Sequence, residues 1–161
     1  MSDRTRSRTT RAAVARAGAV LACVLAADQL TKALVDSSLA RGEERDLVAF
    51  VKLVNVRNSG VAFGQLQNGG LIVSVVIALA VGALLVYFAR HATRPWIWLP
   101  TGLLLGGALG NVIDRVREGA VVDFIKLPHW PAFNVADSAI TVGVIVLVLV
   151  MERAHAADGS G

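Results

Sequence analysis

The chain has 161 residues, of which 55% are hydrophobic and 17% charged, with a formal net charge of +4. A soluble domain carries about 25% charged residues, so this composition excludes an ordinary water-facing surface. One cysteine, Cys23, excludes an intrachain disulfide and a cysteine-based zinc cluster, and its apolar setting makes it a small membrane-buried filler. The positive charge does not point to nucleic acid. Five of the sixteen basic residues, Arg4, Arg6, Arg8, Arg11 and Arg16, sit at or before the start of the first apolar run, where they act as a membrane-orientation signal.

In chain order, residues 1–11 read as a disordered basic tail. Residues 12–153 read as one membrane domain with four apolar spans, at about 12–35, 71–88, 96–113 and 135–151, followed by a second tail, 154–161. The first span is too long for a removable signal peptide, contains Asp28 and Lys32, and is followed by three more. The second, Leu71 to Phe88, has eighteen uncharged residues. As a helix it is roughly 27 Å long, close to the ~30 Å hydrocarbon core. Trp96 and Trp98 stand as interfacial anchors at the start of the third. The arginine-rich tail places the N-terminus in the cytoplasm; four spans return the C-terminus there, and the basic loop 89–94 agrees. The two longer loops then face outward.

Those loops carry structure. Leu47 to Val56 is rich in β-branched residues and too short to span a membrane, so it predicts one or two strands in a surface platform at about 44–66. Asn58-Ser59-Gly60-Val61-Ala62-Phe63-Gly64 is turn-rich. In the second loop, Pro128 and Pro131 break any helix, so Asp123 and Asp137 belong to different elements. A short element at 118–127 is expected as a flap over the site. The fold class is therefore a membrane all-α bundle of four transmembrane helices with a small extracytoplasmic β-platform.

Asp123 lies in the apolar run Val121-Val122-Asp123-Phe124-Ile125, and Asp137 precedes thirteen uncharged residues, Ala139 to Met151. Carboxylates in such places are costly to desolvate and mark function. If the fold brings them together they form an acid/base dyad. Each polar residue also has a plainer role. Asp28 and Lys32, four apart, make an intrahelical ion pair. Asn58 and Gly60 form a turn. Asn111, Asp114 and Arg115 end a helix at the interface. Asn134 caps the fourth helix, and Asp137 suits its dipole. Gly106, Gly107 and Gly110 permit close helix packing. The three histidines lie too far apart in the topology to share a metal, and no serine has a histidine at suggestive spacing.

Five blocks carry a family resemblance: Asp28-Gln29-Leu30-Thr31-Lys32, Asn58 to Gly64, Gly107 to Arg115, Val121 to Ile125 and Phe133 to Ser138. In this order, on four spans, they resemble the signature blocks of lipoprotein signal peptidase (bacterial signal peptidase II), over residues 12–153. The resemblance implies an intramembrane aspartyl endopeptidase. Such an enzyme removes the signal peptide from diacylglyceryl-modified prolipoproteins, on the N-terminal side of the lipidated cysteine. It implies Asp123 and Asp137 as the catalytic pair. It implies Asp28, Lys32, Asn58, Gly60, Asn111, Asp114, Arg115 and Asn134 as substrate-binding or supporting residues, with Asp28 and Lys32 bracing the site and the Asn58 loop. It implies no metal or organic cofactor, lipidated prolipoprotein and membrane lipid as partners, no nucleic acid, a monomer, and a site near the outer face of the bacterial inner membrane. Two other classes stay open. A proton-coupled transporter also uses membrane carboxylates, though usually at mid-bilayer and on related halves. A non-enzymatic assembly factor has no need of two acids in apolar surroundings.

Overall fold

Four helices alternate with three short strands in the computed structural model, which describes residues 3–59 and 69–158. They are α1 (Asp3–Ser38), β1 (Glu44–Val48), β2 (Val51–Asn58), α2 (Gly69–His91), α3 (Trp98–Glu118), β3 (Val121–Lys126) and α4 (Val135–Asp158). Each expected span falls on a helix, with corrected ends. The tail expected to be disordered is helical from Asp3, because arginine and alanine are good helix formers and no glycine or proline precedes Gly18. At the other end α4 continues through most of the expected second tail, to Asp158. α3 starts at Trp98 rather than Trp96, since Trp96 has φ 65° and cannot be helical. It runs past Ile113 to Glu118 and is closed by Gly119, whose φ of 72° and N–H bond to the Arg115 carbonyl form a left-handed cap.

Among the described residues, α1 (over Ser7–Ser38) and α4 (over Val135–Arg153) are long and apolar enough to cross a membrane, and α2 contributes the shorter apolar stretch Leu79–His91. Large apolar side chains face outward on every helix: Leu34 on α1, Leu79 on α2, Val116 on α3 and Ile145 on α4 are all more than half exposed. Extensive apolar exposure is uncommon on soluble monomers and fits a surface that meets lipid.

α3 is the central helix, and small residues let its neighbours approach. A Cβ on Gly102 would lie 2.6 Å from the Val20 Cβ, and on Gly106 2.8 Å from the Val24 Cβ, both on α1. A Cβ on Gly107 would lie 2.5 Å from the Ala136 carbonyl oxygen on α4. These distances are below any real contact, so the glycine stripe sets both interfaces, as membrane helix packing expects.

The strands form one antiparallel sheet in the order β1-β2-β3. Within the expected platform, β1 and β2 form a hairpin through Ala49 and Phe50, with Ala49 at φ 47°; its residues 60–66 lie outside the described residues. The segment expected as a flap is instead β3. It pairs with β2 (Val56 opposite Asp123, Arg57 opposite Val122, Asn58 opposite Val121), and Val121 to Phe124 are buried. Its ladder to β2 and the burial of Val121 to Phe124 make it part of the sheet. Ile125 and Phe133 exchange backbone bonds of 2.8 and 2.9 Å, which fixes the entry to α4 against β3.

Candidate active site

α4 begins with a reciprocal cap. The Asn134 Oδ1 accepts the Asp137 N–H at 2.8 Å, and the Asp137 Oδ2 accepts the Asn134 N–H at 3.3 Å. This is the capping-box arrangement, with aspartate as the returning acid. The Ala136 N–H between them donates to Asp28 Oδ1 of α1 at 2.9 Å. Three otherwise orphaned donors of the helix are thus satisfied, and Asp137 is locked in the first turn.

The Asn134 side chain then reaches the other carboxylate. Its Nδ2 donates to Asp123 Oδ1 at 2.8 Å, and it also lies within bonding distance of Asn111 Oδ1 (3.1 Å) and the Val122 carbonyl (3.2 Å). Asn58, the last residue of β2 rather than part of a loop, donates to Asp123 Oδ2 at 2.9 Å. Asn111 of α3 donates to Asp137 Oδ1 at 2.8 Å. Two acids from β3 and α4 therefore share one asparagine and lie under three amide side chains.

Beneath them runs a buried charge network. Lys32 Nζ is 2.7 Å from both Asp28 Oδ2 and Asp114 Oδ2, and it donates to Asn111 Oδ1 at 3.2 Å. The expected intrahelical pair exists, but it also ties α1 to α3. Asp114 is buried, not solvated, and its Oδ2 accepts the Val122 N–H at 3.1 Å, at the start of β3. Gln29 donates to Asp114 Oδ1 at 3.0 Å, a contact that spacing alone did not single out. Every buried side-chain N or O among the described residues has a partner. Arg115 donates to the Asn111 carbonyl at 3.3 Å and so braces the backbone of that residue. Gly60 lies outside the described residues.

Asp123 is 2% exposed. Burial, opposed by the Asn58 amide and reinforced by the Asp137 charge, pushes its carboxyl up from 3.8 to about 6. Asp137 is half-buried and lines an apolar groove of about 540 Å³ together with Leu127, Trp130, Phe133, Ser138 and Val142. One acid is thus sealed with its carboxyl raised, while the other opens on an apolar groove.

Residues 20–153 match the signal peptidase (SPase) II family. A lipoprotein signal peptidase of Thermodesulfovibrio yellowstonii is 43% identical over 129 residues, covering 78% of this chain and 86% of that protein. One from Moorella thermoacetica is 44% identical over 126 residues (77% and 84%), and one from Burkholderia thailandensis 45% over 133 (78% and 80%). A bacterial membrane enzyme structure, solved by the in meso method at 1.9 Å resolution, superposes with a TM-score of 0.80 at 30% identity, covering 86% of this chain and 93% of that one. The fold and the match together define a membrane protease. The chain belongs to the signal peptidase II family.

Proposed function

We propose that this chain cleaves diacylglyceryl-modified prolipoproteins on the N-terminal side of the lipidated cysteine, with Asp123 and Asp137 as the catalytic dyad. The observation that carries the assignment is the shared asparagine: Asn134 binds Asp123 through its side chain and Asp137 through its backbone, so the two carboxyls are presented as one unit.

The chemistry follows from their surroundings. Two interacting acids titrate as a pair and hold one proton between them over a window of pH. Sealed Asp123 carries that proton, polarises the scissile carbonyl, and later supplies the leaving amine. Half-buried Asp137 takes a proton from the attacking water. Asn111 and Asn134 orient Asp137, and Asn58 and Asn134 orient Asp123. Asp28, Lys32 and Asp114 fix the helices behind them, and Arg115 holds the Asn111 backbone. Gly60 follows Asn58 in the segment proposed to meet substrate. No step needs a metal or organic cofactor.

The groove beside Asp137 suits the apolar end of a signal peptide or a lipid chain, and Trp130 then contacts substrate as well as the interface. In this reading all four helices span the inner membrane of a bacterium. The termini are cytoplasmic, the sheet and dyad lie near the outer face, and the chain works as a monomer. A transporter needs no capped, amide-covered acid pair at one end of a bundle.

The test is a comparison of precursors. Purified protein in lipid is given a diacylglyceryl-modified prolipoprotein and its unlipidated form, and the new N-terminus is mapped by mass spectrometry. Cleavage of the lipidated precursor alone, at the modified cysteine, is the expected result. Equal cleavage of both, or cleavage elsewhere, contradicts the substrate assignment.

A further inference from the structure

Near Asp123, at the end of the central strand β2, Arg57 gathers four acceptors from three elements. Its Nη2 lies 2.6 Å from both Asp36 oxygens at the end of α1, and its Nε donates to Glu118 Oε2 at the end of α3 at 2.7 Å. Its Nη1 donates to Asn55 Oδ1 of β2 at 2.8 Å. Asn55 in turn donates to Asp36 Oδ1 at 3.0 Å and to the Leu39 carbonyl at 2.9 Å. Arg57 is only 15% exposed. A planar fork with this many partners fixes position as well as charge, a task a lysine performs poorly.

The next residue is Asn58, whose amide holds Asp123. Arg57 pairs with Val122 and Asn58 with Val121 across the β2–β3 ladder, so the clamp and the site amide occupy adjacent rungs. Asn58 is also the last residue of β2. It pairs with Val121, the first residue of β3, so the Arg57 clamp acts at the terminal described rung of the ladder.

We infer that Arg57 is a positioning residue for the dyad: by clamping the end of β2 to α1 and α3 it holds the Asn58 amide against Asp123. The inference rests on Asp123 and Asp137 being the dyad. It has a consequence that a merely structural ion pair lacks. The charged groups facing Asp123 are Lys32 from α1, Asp137 from α4 and, through the neighbouring Val122, Asp114 from α3. Among its partners, the Asn58 amide is the strongest influence favouring the ionised form. If the clamp is released, that amide drifts and Asp123 holds its proton to higher pH.

The experiment is the pH profile of kcat/KM on a diacylglyceryl-modified prolipoprotein, for wild type, Arg57→Gln, Arg57→Lys, Asn58→Ala and the double variant Arg57→Gln/Asn58→Ala. Arg57→Gln should lower kcat/KM roughly 10- to 100-fold, as displacement of a site group does. It should also move the alkaline limb upward in the same direction as Asn58→Ala. The double variant should move it no further, since both act through one contact. Arg57→Lys should restore part of both effects. If Arg57→Gln does not fold, Asp36→Asn weakens the same clamp with Arg57 in place and should shift the limb the same way. An alkaline limb unmoved in Arg57→Gln or Asp36→Asn, or shifts that add in the double variant, overturns the inference. Failure of the dyad itself reads differently: cleavage would then survive Asp123→Asn or Asp137→Asn.

Discussion

Asn134 and Asp137 exchange two hydrogen bonds across the first turn of α4, each accepting the other's backbone N–H. The same exchange that starts the helix presents a candidate catalytic acid, so local folding and site assembly are one event. The two roles of Asn134 are nevertheless separable. Asn134→Ser keeps a capping oxygen but removes the amide from Asp123, whereas Asn134→Ala removes both. Serine should unfold within about 1 kcal/mol of wild type and alanine about 0.5–2 kcal/mol lower, as caps generally cost. Both should lose most activity. Thermal unfolding in lipid or detergent, alongside the cleavage rate, separates the effects.

The buried network has one cation for two acids. Lys32→Met leaves Asp28 and Asp114 buried without it, both under one-tenth exposed. Removing one partner from a buried pair costs about 3–5 kcal/mol. The variant should therefore be strongly destabilised, and adding Asp28→Asn should recover part of the loss. Unfolding midpoints of the single and double variants check both statements.

Close packing of α3 gives a third expectation. In Gly107→Ala the new Cβ meets the Ala136 carbonyl at 2.5 Å and pushes on the turn that carries Asp137. Overpacking of this kind costs about 1–3 kcal/mol, and activity should fall further than stability alone explains. Gly18→Ala meets nothing within 4 Å and should leave cleavage unchanged. The matched pair is read by specific activity of folded protein.

The carboxyl of Asp123 stands at about 6 against an ordinary 3.8. Its folded value is the higher one, so protonation favours the native state. That contribution to stability is complete below about pH 3.8 and is lost as pH rises through about 6. In the free enzyme kcat/KM should fall on the alkaline side of the same value. Because the Asp137 charge helps raise it, Asp137→Asn should move the titration of Asp123 downward. Infrared difference titration of the carboxyl stretch follows this without needing turnover.

Much of this site is legible in the linear chain, for reasons that differ by residue. Asp123 and Asp137 stand out because acids are rare in apolar runs, and the Asn134 cap follows from helix-start chemistry. The second and fourth spans are readable because eighteen and thirteen uncharged residues admit few alternatives. What spacing concealed is tertiary. Val121 to Lys126 reads as a short outer element because its strand partner lies more than sixty residues upstream. Asp114 reads as a solvated helix end because Lys32, its partner, sits on another helix. Nothing in the spacing of Arg57, Asp36 and Glu118 links them, and only the fold brings them onto one strand end.

The most direct measurement is cleavage of a diacylglyceryl-modified prolipoprotein by wild type, Asp123→Asn and Asp137→Asn, each shown to be folded by its unfolding transition. Wild type should cleave it, and either variant should lose at least about a thousandfold in rate, the scale of removing a reacting group. Near-wild-type cleavage by either folded variant would contradict the dyad and move the chemistry elsewhere in the bundle.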